Sequence, residues 1–177
     1  MYKNYKNYED SKNAYVKYIK EHKARVIDAW NEIQIKCQNQ PFVTDKYINW
    51  YISNLVNHHD DSKFDDIEFE PYRKYFYPTT EETDKEQIQK EYDEAWIHHY
   101  TNNPHHWEYW CMYDQDKERN SLSFIRQAYH VEMMCDWMAM SQFENNTVPD
   151  WYINNQNKIV MNDDDKQFTE MLIDILF

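Results

Sequence analysis

The residues best suited to chemistry in this chain are its histidines and the carboxylates beside them. Six of the eight histidines form adjacent pairs: His58-His59, His98-His99 and His105-His106. Imidazole is the commonest protein ligand for transition metals, and a neighbouring carboxylate completes a mixed nitrogen and oxygen site. His59-Asp60 is the densest such grouping. An adjacent His and Asp at a helix end can serve one metal only if the helix unwinds there, and the two oxygens of the Asp could then bridge two metals. Lys63 follows three residues later, about one helical turn on, where its ammonium could meet a phosphate oxygen. His22 and Asp136 each fall on an otherwise apolar helical face, where a lone ionisable group is costly unless paired or metal-bound. Glu132 lies one turn before Asp136 on the same face.

Helices must position these groups. The chain of 177 residues contains no glycine and only five prolines. Hairpin turns with positive φ are therefore hard to build, and any left-handed position must use Asn or Asp. Apolar spacing of three and four predicts a helix over Ser11–Cys37, capped by Ser11, with Tyr15, Ile19, His22, Val26, Trp30 and Ile33 on one face. Pro41 closes it. Thr44 or Asp45 should cap a second helix over Tyr47–Asn57, with Ile48, Tyr51, Ile52 and Leu55 facing inward. A short helix is expected around Pro71–Tyr75. Thr79-Thr80-Glu81-Glu82 resembles a capping box opening a charged helix whose end carries Tyr92, Ala95, Trp96 and His99. Asn102-Asn103-Pro104 breaks that helix. A further helix is expected over Asn120–Phe143, with Leu122, Ile125, Tyr129, Glu132, Asp136 and Ala139 or Met140 inward. Pro149 should open a short helix, and Asp164 or Asp165 should cap the last one. Asn162 to Asp165 reads as a solvated turn. The fold class expected is all-α, a single helical domain over residues 1–177.

Composition removes several function classes. Without glycine there is no dinucleotide fingerprint, no Walker loop and no nucleophile elbow. The 19 Lys and Arg against 32 Asp and Glu give a net charge of -13, which argues against a broad nucleic-acid or anionic-membrane surface. A small phosphate-containing substrate stays compatible, because a bound cation inverts the local field. Cys37, Cys111 and Cys135 form no CxxC pair and read as reduced thiols in a cytoplasmic chain. The polar start is no signal peptide, and no apolar run is long enough to span a membrane. The acidic stretch Asp60–Glu70 lacks EF-hand spacing, which discounts calcium. Trp107, Trp110, Trp137 and Trp151 read as core, with a nucleobase wall as the alternative.

The order His22, His59-Asp60, Asp136 resembles the HD-domain superfamily of all-helical, metal-dependent phosphohydrolases. The stretch His59-Asp60-Asp61-Ser62-Lys63 resembles the dyad followed by the lysine of many members, although Ser62 stands where many carry a small residue, often glycine. The chain is also similar to a small uncharacterised family of phages and bacteria, through His59-Asp60-Asp61-Ser62-Lys63-Phe64, Asn103-Pro104-His105-His106 and Cys135 to Ser141. The resemblance covers about residues 22–141, with the helices of 149–177 expected to pack on that core as an HD-like bundle. It implies that His22, His59, Asp60 and Asp136 hold a first divalent ion (Mn, Fe, Co, Ni, Zn or Mg). Asp60 would bridge to a second ion held by His99 with His105, His106 or both, and His58 would pack or lend an outer hydrogen bond.

The implied reaction is hydrolysis of a phosphate ester of a nucleotide or cyclic nucleotide, with Asp60 and Lys63 in catalytic roles. Two other readings compete. The same ligands could serve a di-iron oxygenase. Alternatively the protein, whose Asn, Lys, Tyr and Ile content suits an AT-rich genome, could be a non-catalytic phage or bacterial protein that binds and inhibits a host partner in the host cytoplasm. A homo-oligomer is compatible with each.

Overall fold

The computed structural model describes residues 4–113 and 123–177, which are all-α. Among them no β-strand occurs, and Tyr5 and Thr79 form an isolated bridge. The helices are α1 (Tyr8–Lys36), α2 (Pro41–Thr44), α3 (Lys46–His58), α4 (Asp66–Phe76), α5 (Lys85–Asn102), α6 (Trp107–Tyr113), α7 (Phe124–Glu144), α8 (Val148–Asn155) and α9 (Asp163–Leu176), with a 3-10 turn at Asp61–Phe64. They divide into two compact units. Unit 1 comprises Met1–Glu21 and Asp60–Asn103, and unit 2 comprises His22–His59 and Pro104–Phe177. The division in sequence falls at the His59-Asp60 peptide bond. No helix among the described residues is long and apolar enough to cross a membrane.

In unit 1, Tyr15 and Ile19 of α1 pack with Tyr72 of α4 and Ala95 of α5, joined by half-buried Phe69, Tyr92 and Trp96. Helix α1 starts before the expected Ser11. The Asn7 side chain accepts from the Asp10 amide at 2.9 Å, a cap as good as serine. Ser11 is instead fully buried and donates to the Tyr77 carbonyl at 2.5 Å. Its hydroxyl also accepts from Arg73 Nη1 at 2.7 Å. Helix α4 is longer than expected and runs through Pro71. The carbonyl that loses its donor there belongs to Ile67, which is 54% exposed.

Arg73 also redirects the expected capping box. Glu82 accepts from the Thr79 amide at 2.7 Å, as a capping box would require. Its carboxylate also binds the buried Arg73 guanidinium, and α5 begins later, capped by Asp84. Burial opposes the ionised form of Glu82, but Arg73 and the Thr79 amide outweigh it and hold the carboxyl below its ordinary value. A depressed folded pKa gives stability that is present above the unfolded carboxylate pKa of about 4.3 and is lost as pH falls through the folded value. Glu82→Gln should therefore cost about 1.5–3 kcal/mol at neutral pH. In urea melts at successive pH values, the gap to wild type should close in acid.

In unit 2, α7 is the central element. It buries residues around most of its circumference, from Arg126 and Ala128 through Val131, Met134 and Trp137 to Ala139. A helix covered on nearly all sides has no single inner face. Ile125, expected inward, is 42% exposed, and the expected start at Asn120 and contact at Leu122 lie outside the described residues. Val26, Ala29, Trp30 and Ile33 of α1 and Ile52 and Val56 of α3 belong to the same apolar core as α7. Pro41 opens α2 as well as following α1, and Asp45 caps α3 through the amides of Tyr47 and Ile48. Thr147 caps α8. Asn162 caps α9, so neither Asp164 nor Asp165 does. Asp165 is not solvated, being 1% exposed and ion-paired to Arg126. Of the tryptophans, Trp137 is core and packs on Trp151 at 4.8 Å, Trp107 and Trp151 are half-buried against that core, and half-buried Trp110 lies against the Arg126 guanidinium at 4.5 Å.

Two non-glycine residues take positive φ, Asp60 at 58° and Asn145 at 54°. Both follow a helix end, where a chain without glycine must place Asn or Asp. The unwinding needed at the dyad is thus present in the backbone.

Candidate metal centre

In unit 2, three side chains from three helices converge. His22 is buried on the apolar stripe of α1, with Ile19 and Val26 buried at helical spacing on either side. His59 is the C-cap of α3, with ψ of 131°, so the backbone leaves the helix as its ring turns into the core. Asp136 comes from α7. His22 Nε2 lies 3.1 Å from Asp136 Oδ1 and 3.3 Å from His59 Nε2, and His59 Nε2 lies 3.8 Å from Asp136 Oδ1. Ligand atoms about 2.0–2.2 Å from a common ion, at angles between octahedral and tetrahedral, stand roughly 3.0–3.4 Å apart. The three donors fit that spacing with modest closure at the widest edge. Two imidazoles and one carboxylate form a facial set suited to Mn, Fe, Co, Ni or Zn. These residues could hold a metal ion.

A second carboxylate supports the set. Glu132, one turn before Asp136, is 3% exposed, is hydrogen-bonded to His59 Nδ1 at 3.0 Å and lies 3.4 Å from His105 Nδ1. Burial disfavours its charge, yet the imidazoles of His105 and His59 outweigh burial and hold its carboxyl down to about 2. Burial likewise opposes ionisation of Asp136, and His22 and His59 pull it well below the ordinary range. A buried carboxylate, Glu132, and a half-buried one, Asp136, thus face the imidazoles, an arrangement that attracts cations. Burial, reinforced by Glu132 and Asp136, raises the Cys135 thiol well above its usual pKa. His105 is buried and His106 half-buried, and their rings lie 4.4 Å apart.

Within unit 1, a polar cluster surrounds Asp60. Asp60 is 2% exposed and accepts from Lys63 Nζ at 2.5 Å through Oδ2. Its Oδ1 lies 3.3 Å from His99 Nε2. Glu68, fully buried, accepts from Nδ1 of both His98 and His99 at 2.8 Å and from Ser62 Oγ at 3.0 Å. Burial opposes the charge on Glu68, but His99, His98 and Ser62 keep its carboxyl below normal. Burial lowers the His99 pKa, while Asp60 and Glu68 raise it by more. Lys63 also sits 5.8 Å from the centre of the Tyr72 ring.

The residues expected from the sequence are thus brought together within each unit: His22, His59 and Asp136 with His105 in unit 2, and Asp60, Lys63 and His99 in unit 1. His99 is the buried member of its pair, and His98 is half-buried. His58 is exposed. Sequence reasoning missed Glu68, which lies in the acidic stretch Asp60–Glu70 weighed only for calcium. It also missed the polar group of Arg126, His130 and Asp165, which only tertiary packing assembles. His130 Nδ1 donates to the Arg126 carbonyl at 2.9 Å, and its Nε2 lies 3.6 Å from Asp165.

No curated protein and no solved structure matches the chain. A family model does match, across residues 11–176, and so spans both units. The chain belongs to that family, described as "Family of unknown function (DUF5662)".

Proposed function

We propose that this protein is a metal-dependent phosphohydrolase acting on a phosphate ester of a nucleotide or cyclic nucleotide. The observation carrying the reading is the convergence of His22, His59 and Asp136 at metal-ligand spacing. The resemblance of their order to HD-type phosphohydrolases supplies the reaction class. In this reading the three side chains hold a divalent cation, with His105 and His106 as further donors from the same unit. A divalent cation supplies Lewis acidity toward a phosphoryl oxygen and a water acidified to near-neutral pKa. The ionised Asp136 and Glu132 repel a bare phosphate, so the site favours a cation first and an anionic substrate only once that charge is offset.

The test uses the purified full chain with Mn²⁺, Co²⁺ or Ni²⁺ and a panel of nucleotides and cyclic nucleotides. Stoichiometric metal and metal-dependent ester cleavage are expected. Bound metal without cleavage of any panel member would overturn the hydrolase reading, and iron with O₂-dependent turnover would replace it with the oxygenase.

A further inference from the structure

We infer that Glu132 is a positioning residue, one carboxylate that fixes the tautomer of two imidazoles and thereby aims their ring nitrogens at a cation. The inference rests on the reading that unit 2 binds a metal, but its first test does not. Glu132 Oε1 is hydrogen-bonded to Nδ1 of His59 at 3.0 Å and faces Nδ1 of His105 at 3.4 Å. With the carboxylate oxygen as acceptor, the His59 Nδ1 bonded to it carries the proton, and the inference extends the same placement to the His105 Nδ1 that faces it. A neutral imidazole protonated at Nδ1 presents a lone pair at Nε2. For His59, that Nε2 is the atom 3.3 Å from His22 Nε2 and 3.8 Å from Asp136 Oδ1. The proton position therefore decides whether His59 offers a ligand atom or an N–H to the cage.

The geometry makes Glu132 a shared brace. The His59 and His105 rings lie 4.3 Å apart at 43°, so one carboxylate oxygen reaches both. Glu132 and Asp136 sit one turn apart on the buried helix α7, which fixes brace and ligand on one rigid element. Unit 1 repeats the construction, with Glu68 accepting from Nδ1 of both His98 and His99. A glutamate placed only to satisfy core polarity would need one partner, whereas this one holds two, and both are histidines.

The experiment has two parts. Long-range ¹H–¹⁵N NMR on the metal-free, full-length wild type reads the ring tautomers directly. Nδ1–H is expected at both His59 and His105, and Nε2–H at His59 overturns the inference. This part needs no variant, and it stands even if the wild type binds no cation, a result that would remove the proposed function alone. The second part compares wild type with Glu132→Gln. The carboxamide is close in shape but also carries donors, so at least one ring should switch to Nε2–H, and Mn²⁺ or Zn²⁺ should bind about 10–100-fold more weakly. A purely structural glutamate would lower the urea midpoint and leave tautomers and metal affinity unchanged, and that outcome overturns the inference while leaving the proposed function intact.

Discussion

Asp136→Asn is expected to abolish stoichiometric metal binding and reduce phosphoester cleavage to background while leaving the protein folded. Asp136 is the carboxylate of the His22, His59 and Asp136 set, and it supplies formal charge that two neutral imidazoles cannot replace. The amide keeps the shape and an oxygen acceptor, so packing in α7 is preserved, but a neutral amide oxygen is a far poorer ligand for a divalent cation. Loss of an outer carboxylate alone weakens metal binding about 10–100-fold, so loss of a direct ligand should exceed that. Removing this half-buried charge relieves its partial desolvation, which opposes the loss of its imidazole contacts, so the urea midpoint should move little. Calorimetric titration with Mn²⁺, elemental analysis and far-UV circular dichroism on the same samples separate these effects. Unchanged metal stoichiometry and affinity in D136N would place the cation elsewhere and remove the observation on which the proposed function stands.

Much of this site was legible because the sequence breaks its own patterns there. His22 interrupts an apolar stripe of α1, and a lone imidazole at such a position needs a partner. The His59-Asp60 junction was legible because a chain without glycine must use Asn or Asp wherever a helix end turns left-handed, as Asp60 and Asn145 both do. The residues that escaped did so for two physical reasons. Helix α7 is covered on nearly all sides, so periodicity could not separate inward Arg126 and His130 from exposed Ile125. Arg73 binds Ser11 and Glu82, two residues whose local context announced helix caps, and a long-range guanidinium leaves no trace in local spacing. For the same reason the run around Glu68 gave no sign of its histidine partners, and the run around Asp165 read as a solvated turn. Their partners, His99 and Arg126, lie 31 and 39 residues away in the chain.

Asp165→Asn should be the most destabilising conservative substitution in unit 2. Arg126 and Asp165 are 5% and 1% exposed, and Arg126 Nε lies 2.8 Å from both Asp165 oxygens while its Nη2 binds Oδ2. The Trp110 ring covers the guanidinium, and His130 approaches the same carboxylate. Arginine cannot shed its proton to escape burial, so neutralising Asp165 leaves a full positive charge in the core of unit 2. Breaking a buried pair from one side costs about 3–5 kcal/mol, or a urea midpoint lower by roughly 1.5–2.5 M at an m value of about 2 kcal/mol/M. The pair need not be a net source of stability, because its desolvation cost offsets much of its attraction. The double variant Arg126→Met/Asp165→Leu should therefore recover most of the loss, and Arg126→Met alone should leave a charged Asp165 and remain unstable. A D165N midpoint within about 0.5 M of wild type would mean that water reaches this guanidinium. The pair would then be an ordinary exposed ion pair rather than the buried tie between α7 and α9 that its burial and bonding describe.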